Sequence, residues 1–212
     1  MGTEKPTLLY IADAMCSWCW GFAPVLDEVR EKYKEELGFQ LVMGGLRPGP
    51  AAAPLDDAMK EFLRHHWEEV AEATGQPFDN DFFDREGFIY DTEPAARAVV
   101  TLRHMAPDYE YEFYHAVQEG FYARNVDITE TGALTELLPK SVEQDLFRER
   151  FDSDDMRQAT LADFTYARDM GVNGFPALLL GGMGEKGFAI TVGYAPRAAI
   201  IARIEEVLKA TL

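Results

Sequence analysis

The chain has 212 residues, 47% of them hydrophobic, with 14 Phe, 9 Tyr and 3 Trp; this is enough apolar material for a packed core and excludes a disordered chain. With 20 Lys+Arg against 37 Asp+Glu the net charge is −17, a surface that repels phosphate backbones and excludes nucleic acid as a partner. No apolar run reaches the ~18 residues that span a bilayer, and the start "MGTEKPTLLYIADAM" lacks a basic segment followed by a long apolar block, so the expectation is a cytoplasmic protein with no export signal and no membrane partner.

Thr7 to Ala12, "TLLYIA", reads as a buried strand. Both cysteines follow in "DAMCSWCWGFAP", Asp13 to Pro24. The next helix has its apolar stripe on Phe22, Val25, Leu26, Val29 and Tyr33, with Asp27, Glu28, Arg30 and Glu31 opposite. Gly38 reads as its stop. "FQLVMGG", Phe39 to Gly45, reads as a second strand parallel to the first. That makes a β-α-β unit with the cysteines where strand hands over to helix.

"LRPGPAAAP", Leu46 to Pro54, reads as a linker and domain boundary. Five or six helices are expected after it, up to about Met170. The first has Leu55, Met59, Phe62, Leu63 and Val70 at helical spacing and ends at Gly75. "DTEPAARAVVTLRHM" has Thr92 as N-cap and Pro94 in the first turn. "DYEYEFYHAVQEGFYARN" and "TGALTELLP" follow, then "SVEQDLFRERF" with Ser141 and Gln144 in capping-box positions. "DDMRQATLADFTYARDMG" ends at Gly171. Strands return with "ALLL" after Pro176 and with "FAITVG", Phe188 to Gly193, joined by "GMGEKG" as a hairpin loop. "APRAAIIARIEEVLKATL" closes the chain as a helix with Pro196 in its first turn.

The Cys16–Cys19 pair admits three readings: a zinc site, a redox pair, or inert buried thiols. A structural zinc site needs four ligands. The chain offers two cysteines and His65, His66, His104 and His115, all in the helical segment. His65 and His66 are adjacent and point apart on a helix, so no metal is expected. A C-x-x-C at a helix start sets its first sulfur beside unpaired amides and the positive end of the dipole, which favours thiolate. The second sulfur lies one turn in, placed to resolve a mixed disulfide on the first. The strand–C-x-x-C–helix context favours this redox reading. Trp18 and Trp20 each have two readings: an apolar surface around Cys16 for peptide substrates, or packing into the helical lid.

Strand, "CSWC", helix, strand, helical insertion and then "GVNGFPALLL" resembles the DsbA-like thioredoxin-fold oxidoreductase family, most closely its cytoplasmic FrnE-type branch with a C-x-W-C motif. The resemblance covers nearly the whole chain. It implies an α/β thioredoxin fold in two pieces, residues 1–47 and 171–212, with an all-helical insertion over 48–170 between its β-α-β and β-β-α halves. It implies that Pro176 is cis beside the cysteines, with the Phe175 backbone offering edge hydrogen bonds to an extended substrate. Pro24 resembles the kink proline of the active-site helix. Two departures stand out. DsbA carries a His inside its C-x-x-C where this chain has Ser17-Trp18, which implies a less oxidising pair. The family's buried acid, six residues before the first cysteine, is here Tyr10, with Asp13 the nearest carboxylate in sequence.

The leading expectation is a thiol–disulfide oxidoreductase, reductase- or isomerase-like. Cys16 is the nucleophile, Cys19 resolves and Pro176 positions protein or small-molecule disulfides. No organic cofactor is needed, with glutathione as a reductant or co-substrate. Two alternatives are a glutathione-dependent isomerase or transferase, for which Cys19 has no use, and a non-catalytic binding module, whose thiols would alkylate slowly.

Overall fold

The computed structural model describes residues 5–181 and 187–211. Strand β1 (Thr7–Ala12) is the hub of a four-stranded sheet. It pairs in parallel with β2 (Gly38–Met43) and antiparallel with β5 (Ala177–Gly181), and β6 (Phe188–Val192) lies antiparallel on β5, giving the order β2-β1-β5-β6. Between β1 and β2 runs helix α1 (Ser17–Tyr33). The expected hairpin loop, apart from Gly187, lies outside the described residues.

Side chains alternate along β1, so it feeds two cores. Leu8, Tyr10 and Ala12 join the cluster containing Phe22, Leu26 and Val29 of α1 and Ile200 and Ile204 of the closing helix α8 (Arg197–Thr211). Leu9 and Ile11 turn to the other face and meet Ala167 and Tyr166 of α7 (Asp154–Asp169). A strand buried on both faces has to be continuously apolar, which is why "TLLYIA" does not alternate.

Among the described residues six α-helices lie between β2 and β5: α2 (Asp57–Thr74), α3 (Glu93–Met105), α4 (Glu110–Arg124), α5 (Thr131–Glu136), α6 (Gln144–Phe151) and α7, with three short 3-10 turns in the same stretch. α2 is capped by Asp56, which accepts from Met59 N, and ends at Gly75 with φ of 74°. Its buried face is Leu63, Trp67 and Val70, whereas Phe62, expected inside, is 48% exposed. Trp67 is the hub of the lid core, its ring 4.8–5.0 Å from those of Phe78, Phe82 and Phe83.

Several local expectations need correction. Gly38 does not stop α1, which is capped at Lys34; Gly38 opens β2, where a Cβ would come within 2.8 Å of Thr7 Oγ1. The linker is partly structured and the insertion over 48–170 is not all-helical, because β3 (Ala53–Pro54) pairs with β4 (Ile89–Tyr90) inside it. Thr92 occupies the N-cap of α3 without capping it, because its hydroxyl accepts from Arg47 N. Glu143, not Ser141, stands at the N-cap of α6, so there is no capping box. Pro196 sits just before α8.

Candidate active site at the start of helix α1

The Asp13–Met15 loop carries the chain from β1 into α1. Asp13 is fully buried; its Oδ1 accepts from Met15 N at 2.9 Å and its Oδ2 from Leu46 N at 2.7 Å. One carboxylate thereby ties the cysteine loop to the exit of β2. Burial raises its carboxyl above the ordinary range, against the pull of those two amides. Tyr90 of β4 reaches in from the helical segment and donates to Met15 O at 2.5 Å. The loop is thus held from both sides.

Cys16 takes the N-cap position of α1 in extended conformation, with φ of −92° and ψ of 113°. The first amides of the helix have no intrahelical acceptor, and they sit beside this residue. Both cysteines are free thiols, Cys16 7% exposed and Cys19 wholly buried. The Phe175–Pro176 peptide is cis, as the resemblance implies, and the Cys16 thiol donates to Phe175 O at 3.6 Å. Pro176 O accepts from Gly193 N at 2.7 Å, fixing this segment against the end of β6.

Gly44 makes that approach possible. Its N donates to Ala12 O at 2.7 Å, and a Cβ built on it would lie 2.1 Å from Phe175 Cε1. The Phe175 ring therefore rests on bare backbone. Gly44→Ala forces the ring, and with it the carbonyl facing Cys16, to move. The expected cost is about 1–3 kcal/mol of stability together with slower reaction of Cys16 with disulfides. Wild-type exchange kinetics in this variant would show that the ring position is irrelevant.

The two tryptophans part company. Trp18 is half-buried, its ring 5.6 Å from Tyr194, and it stays at the surface beside Cys16. Trp20 is only 3% exposed: its Nε1 donates to Pro77 O and its ring stacks on Tyr122 and lies against His115. As a substrate contact Trp20 does not fit, because its faces and its one donor are taken by the helical segment. Pro24 lies inside α1, so the carbonyl four residues earlier, that of Trp20, has no intrahelical donor. Gln76 fills the gap, its Nε2 donating to Trp20 O at 2.9 Å.

Tyr10 is wholly buried behind the cysteines, where the family's acid is expected. Burial, then the hydrogen bond and charge of Cys16, push the Cys19 thiol well above its ordinary 9.0. The unfolded chain ionises this thiol near 9.0 while the folded chain keeps its proton. The stability this contributes is complete below that pH and is lost as pH rises further. Burial acts in the same direction on Tyr10, Tyr114 and Tyr122, from 10.0 upward. The unfolding midpoint of the reduced protein is therefore expected to fall above about pH 9. In the oxidised protein, where Cys19 has no proton to lose, the fall begins about one pH unit later. Coincident profiles for the two forms would contradict the burial of Cys19. A cleft of about 370 Å³ lined by Asp27, Arg30, Tyr33 and Phe39 lies at the opposite end of α1 and holds none of these residues.

Comparison with known proteins finds solved structures of similar fold. A structure of a candidate protein disulfide isomerase from Nitrosomonas europaea matches with 38% identity, 98% of this chain and 99% of that one covered, and a TM-score of 0.89. The cytosolic disulfide reductase DsbM from Pseudomonas aeruginosa matches with 25% identity, 96% and 99% covered, and a TM-score of 0.77. A probable DsbA oxidoreductase from Streptomyces coelicolor, 13% identical over 96% of this chain and 90% of that one with a TM-score of 0.74, shares the fold. No curated protein matches. The model of the DSBA-like thioredoxin domain matches residues 7–195, and the chain belongs to that family of thiol–disulfide oxidoreductases.

Proposed function

We propose that the protein is a cytosolic dithiol–disulfide oxidoreductase working in the reductive direction, with Cys16-Ser17-Trp18-Cys19 as its redox pair. The observation that carries this reading is the graded burial of two free thiols at one helix start, the more accessible one 3.6 Å from the carbonyl before a cis-proline. Cys16 attacks the substrate disulfide and Cys19 resolves the mixed disulfide. Phe175 and Pro176 position the substrate chain, and Trp18 with Tyr194 offers it an apolar contact. No organic cofactor takes part, and glutathione or another small thiol returns the pair to the reduced state. Location in the cytosol is supported by the likeness to DsbM, named as a cytosolic disulfide reductase.

The electrostatics of the pair supports the reductive direction. A pair becomes oxidising when its reduced thiolate is strongly stabilised. Here Ser17 and Trp18 supply no charge, leaving the helix start as the stabilising element. The deciding experiment is equilibration with glutathione redox buffers, read by trapping free thiols. The expected potential lies well below the about −120 mV of DsbA, toward the about −270 mV of thioredoxin. A value at the DsbA end would sink the reductase assignment.

A glutathione-dependent isomerase or transferase is the second reading, favoured by the structure of DsbM with GSH. Saturable glutathione binding and turnover that survive Cys19→Ser would support it over the dithiol mechanism.

A further inference from the structure

Helix α4 presents a row of polar side chains to the cysteines. Tyr114, Gln118 and Tyr122 recur every four residues and share one face. Each is 0–1% exposed. The ends of the row are tied to the site: the Tyr114 ring meets Tyr10 edge-on at 6.2 Å, and Tyr122 stacks 6.2 Å from Trp20, the residue after Cys19. The hydroxyls of Tyr10, Tyr114 and Tyr122 and both polar atoms of the Gln118 amide have no hydrogen-bond partner among the described residues. The Tyr10 and Tyr114 hydroxyls, like those of Tyr90 and Tyr122, lie near enough to interact as hydrogen-bonding pairs, but none of these contacts reaches good hydrogen-bond geometry, which leaves the phenols of Tyr10, Tyr114 and Tyr122 free to turn toward a new acceptor.

Phenylalanine and leucine would fill these positions without leaving polar atoms unpaired, and such atoms are costly in a core. We propose that Tyr10, Tyr114, Gln118 and Tyr122 form a neutral polar pocket that solvates the Cys19 thiolate during resolution, in the place a buried carboxylate holds elsewhere in the fold. The proposal rests on the redox-pair reading above. In that step Cys19 gives up its thiol proton and its electron pair forms the bond to Cys16. The bond from Cys16 to the substrate sulfur breaks, and its pair leaves on the substrate thiolate, which takes up the proton. A transient anion thus forms in a fully buried place. Burial keeps the three phenols protonated, so each remains a donor to that anion. The titratable groups coupled to Cys19 are Cys16, Asp13 from the loop, Tyr10 from β1, and Tyr114 and Tyr122 from α4; His115 of α4 lies beyond Trp20 and Tyr90 beyond Tyr122. Asp13 is the one carboxylate among them, and both its oxygens are engaged by amides.

The test uses the whole reduced protein and the disulfide of thionitrobenzoate, followed by stopped flow. The first release of coloured thiol reports attack by Cys16, and the second reports resolution by Cys19. In the wild type the second release is expected to be independent of reagent concentration; dependence on it would remove the redox pair and the pocket together. Given independence, Tyr114→Phe and Gln118→Leu are expected to leave the first release unchanged, to slow the second by about tenfold, and to move its pH midpoint upward. The unfolding midpoint of Gln118→Leu holds or rises, since it loses two unpaired polar atoms, and that of Tyr114→Phe stays close to the wild type. A second release with wild-type rate and pH profile in both variants overturns the pocket while leaving the redox pair intact. A fall in stability with an unchanged second release also overturns it, by making the row structural.

Discussion

Cys16→Ser is expected to bring insulin reduction down to the uncatalysed background, because a hydroxyl cannot take the thiolate's place in disulfide exchange. Cys19→Ser is expected to behave differently. The first attack survives, but the mixed disulfide accumulates and is trapped as a covalent adduct visible by mass. The asymmetry follows from position. Cys16 sits at the N-cap with 7% of its surface accessible, whereas Cys19 is wholly enclosed by α1 and the helical segment. On the proposed mechanism a substrate sulfur reaches the first and is out of reach of the second. Neither substitution should unfold the protein, since serine is nearly isosteric and the loop is held by Asp13 and Tyr90 through backbone groups. Turnover retained by Cys16→Ser, or adducts on Cys19 in that variant, would reverse the assignment of nucleophile and resolver.

Arg103→Met is expected to be strongly destabilising, although it lies outside the site. Arg103 joins three elements. Its Nε donates to Glu110 Oε1 at 2.5 Å, its Nη1 and Nη2 to Asp163 at 2.9 and 2.8 Å, and its Nη2 also to Leu41 O at 3.0 Å. Asp163 in turn accepts from Met43 N at 2.9 Å, pinning α7 to the end of β2. The three side chains are 14–23% exposed, so their charges are largely out of water. Removing the guanidinium strands two carboxylates, a loss of about 3–5 kcal/mol, read as a lower urea midpoint with an unchanged slope. Burial already raises the Glu110 carboxyl in spite of Arg103, while the carboxylates hold the proton firmly on Arg103. Without the arginine the Glu110 carboxyl rises further, so the deficit is present at neutral pH and shrinks as acid protonates Glu110. A loss below about 1 kcal/mol would mark the cluster as an ordinary surface ion pair.

Both predictions bear on where α7 and the lid sit, and that placement was only partly legible beforehand. "TLLYIA", the α1 stripe and the return to strands after Pro176 all follow from local periodicity, which acts over one element at a time. The C-x-x-C at the strand–helix junction is equally local, so the two thiols and their order could be read directly. The cis state of Phe175–Pro176 came from resemblance, since a proline by itself favours trans.

What the order of residues could not express is which distant groups complete a local deficiency. Pro24 announces a missing hydrogen bond, but nothing in its neighbourhood says that Gln76 supplies the donor. The doublet Gly44-Gly45 announces close approach, but not that Phe175 is what approaches. Trp18 and Trp20 are two residues apart in chain and look alike in sequence, yet the helical segment seals one and leaves the other beside Cys16. The amino-acid order by itself determined the elements and the place of the two cysteines at the strand–helix junction, because backbone propensity and periodicity act over a few residues. The tertiary structure alone decided the surroundings of that pair, because burial and orphaned polar groups depend on what arrives from 30 to 160 positions away, as in the contacts of Asp13 with Leu46 (33 apart) and of Cys16 with Phe175 (159 apart).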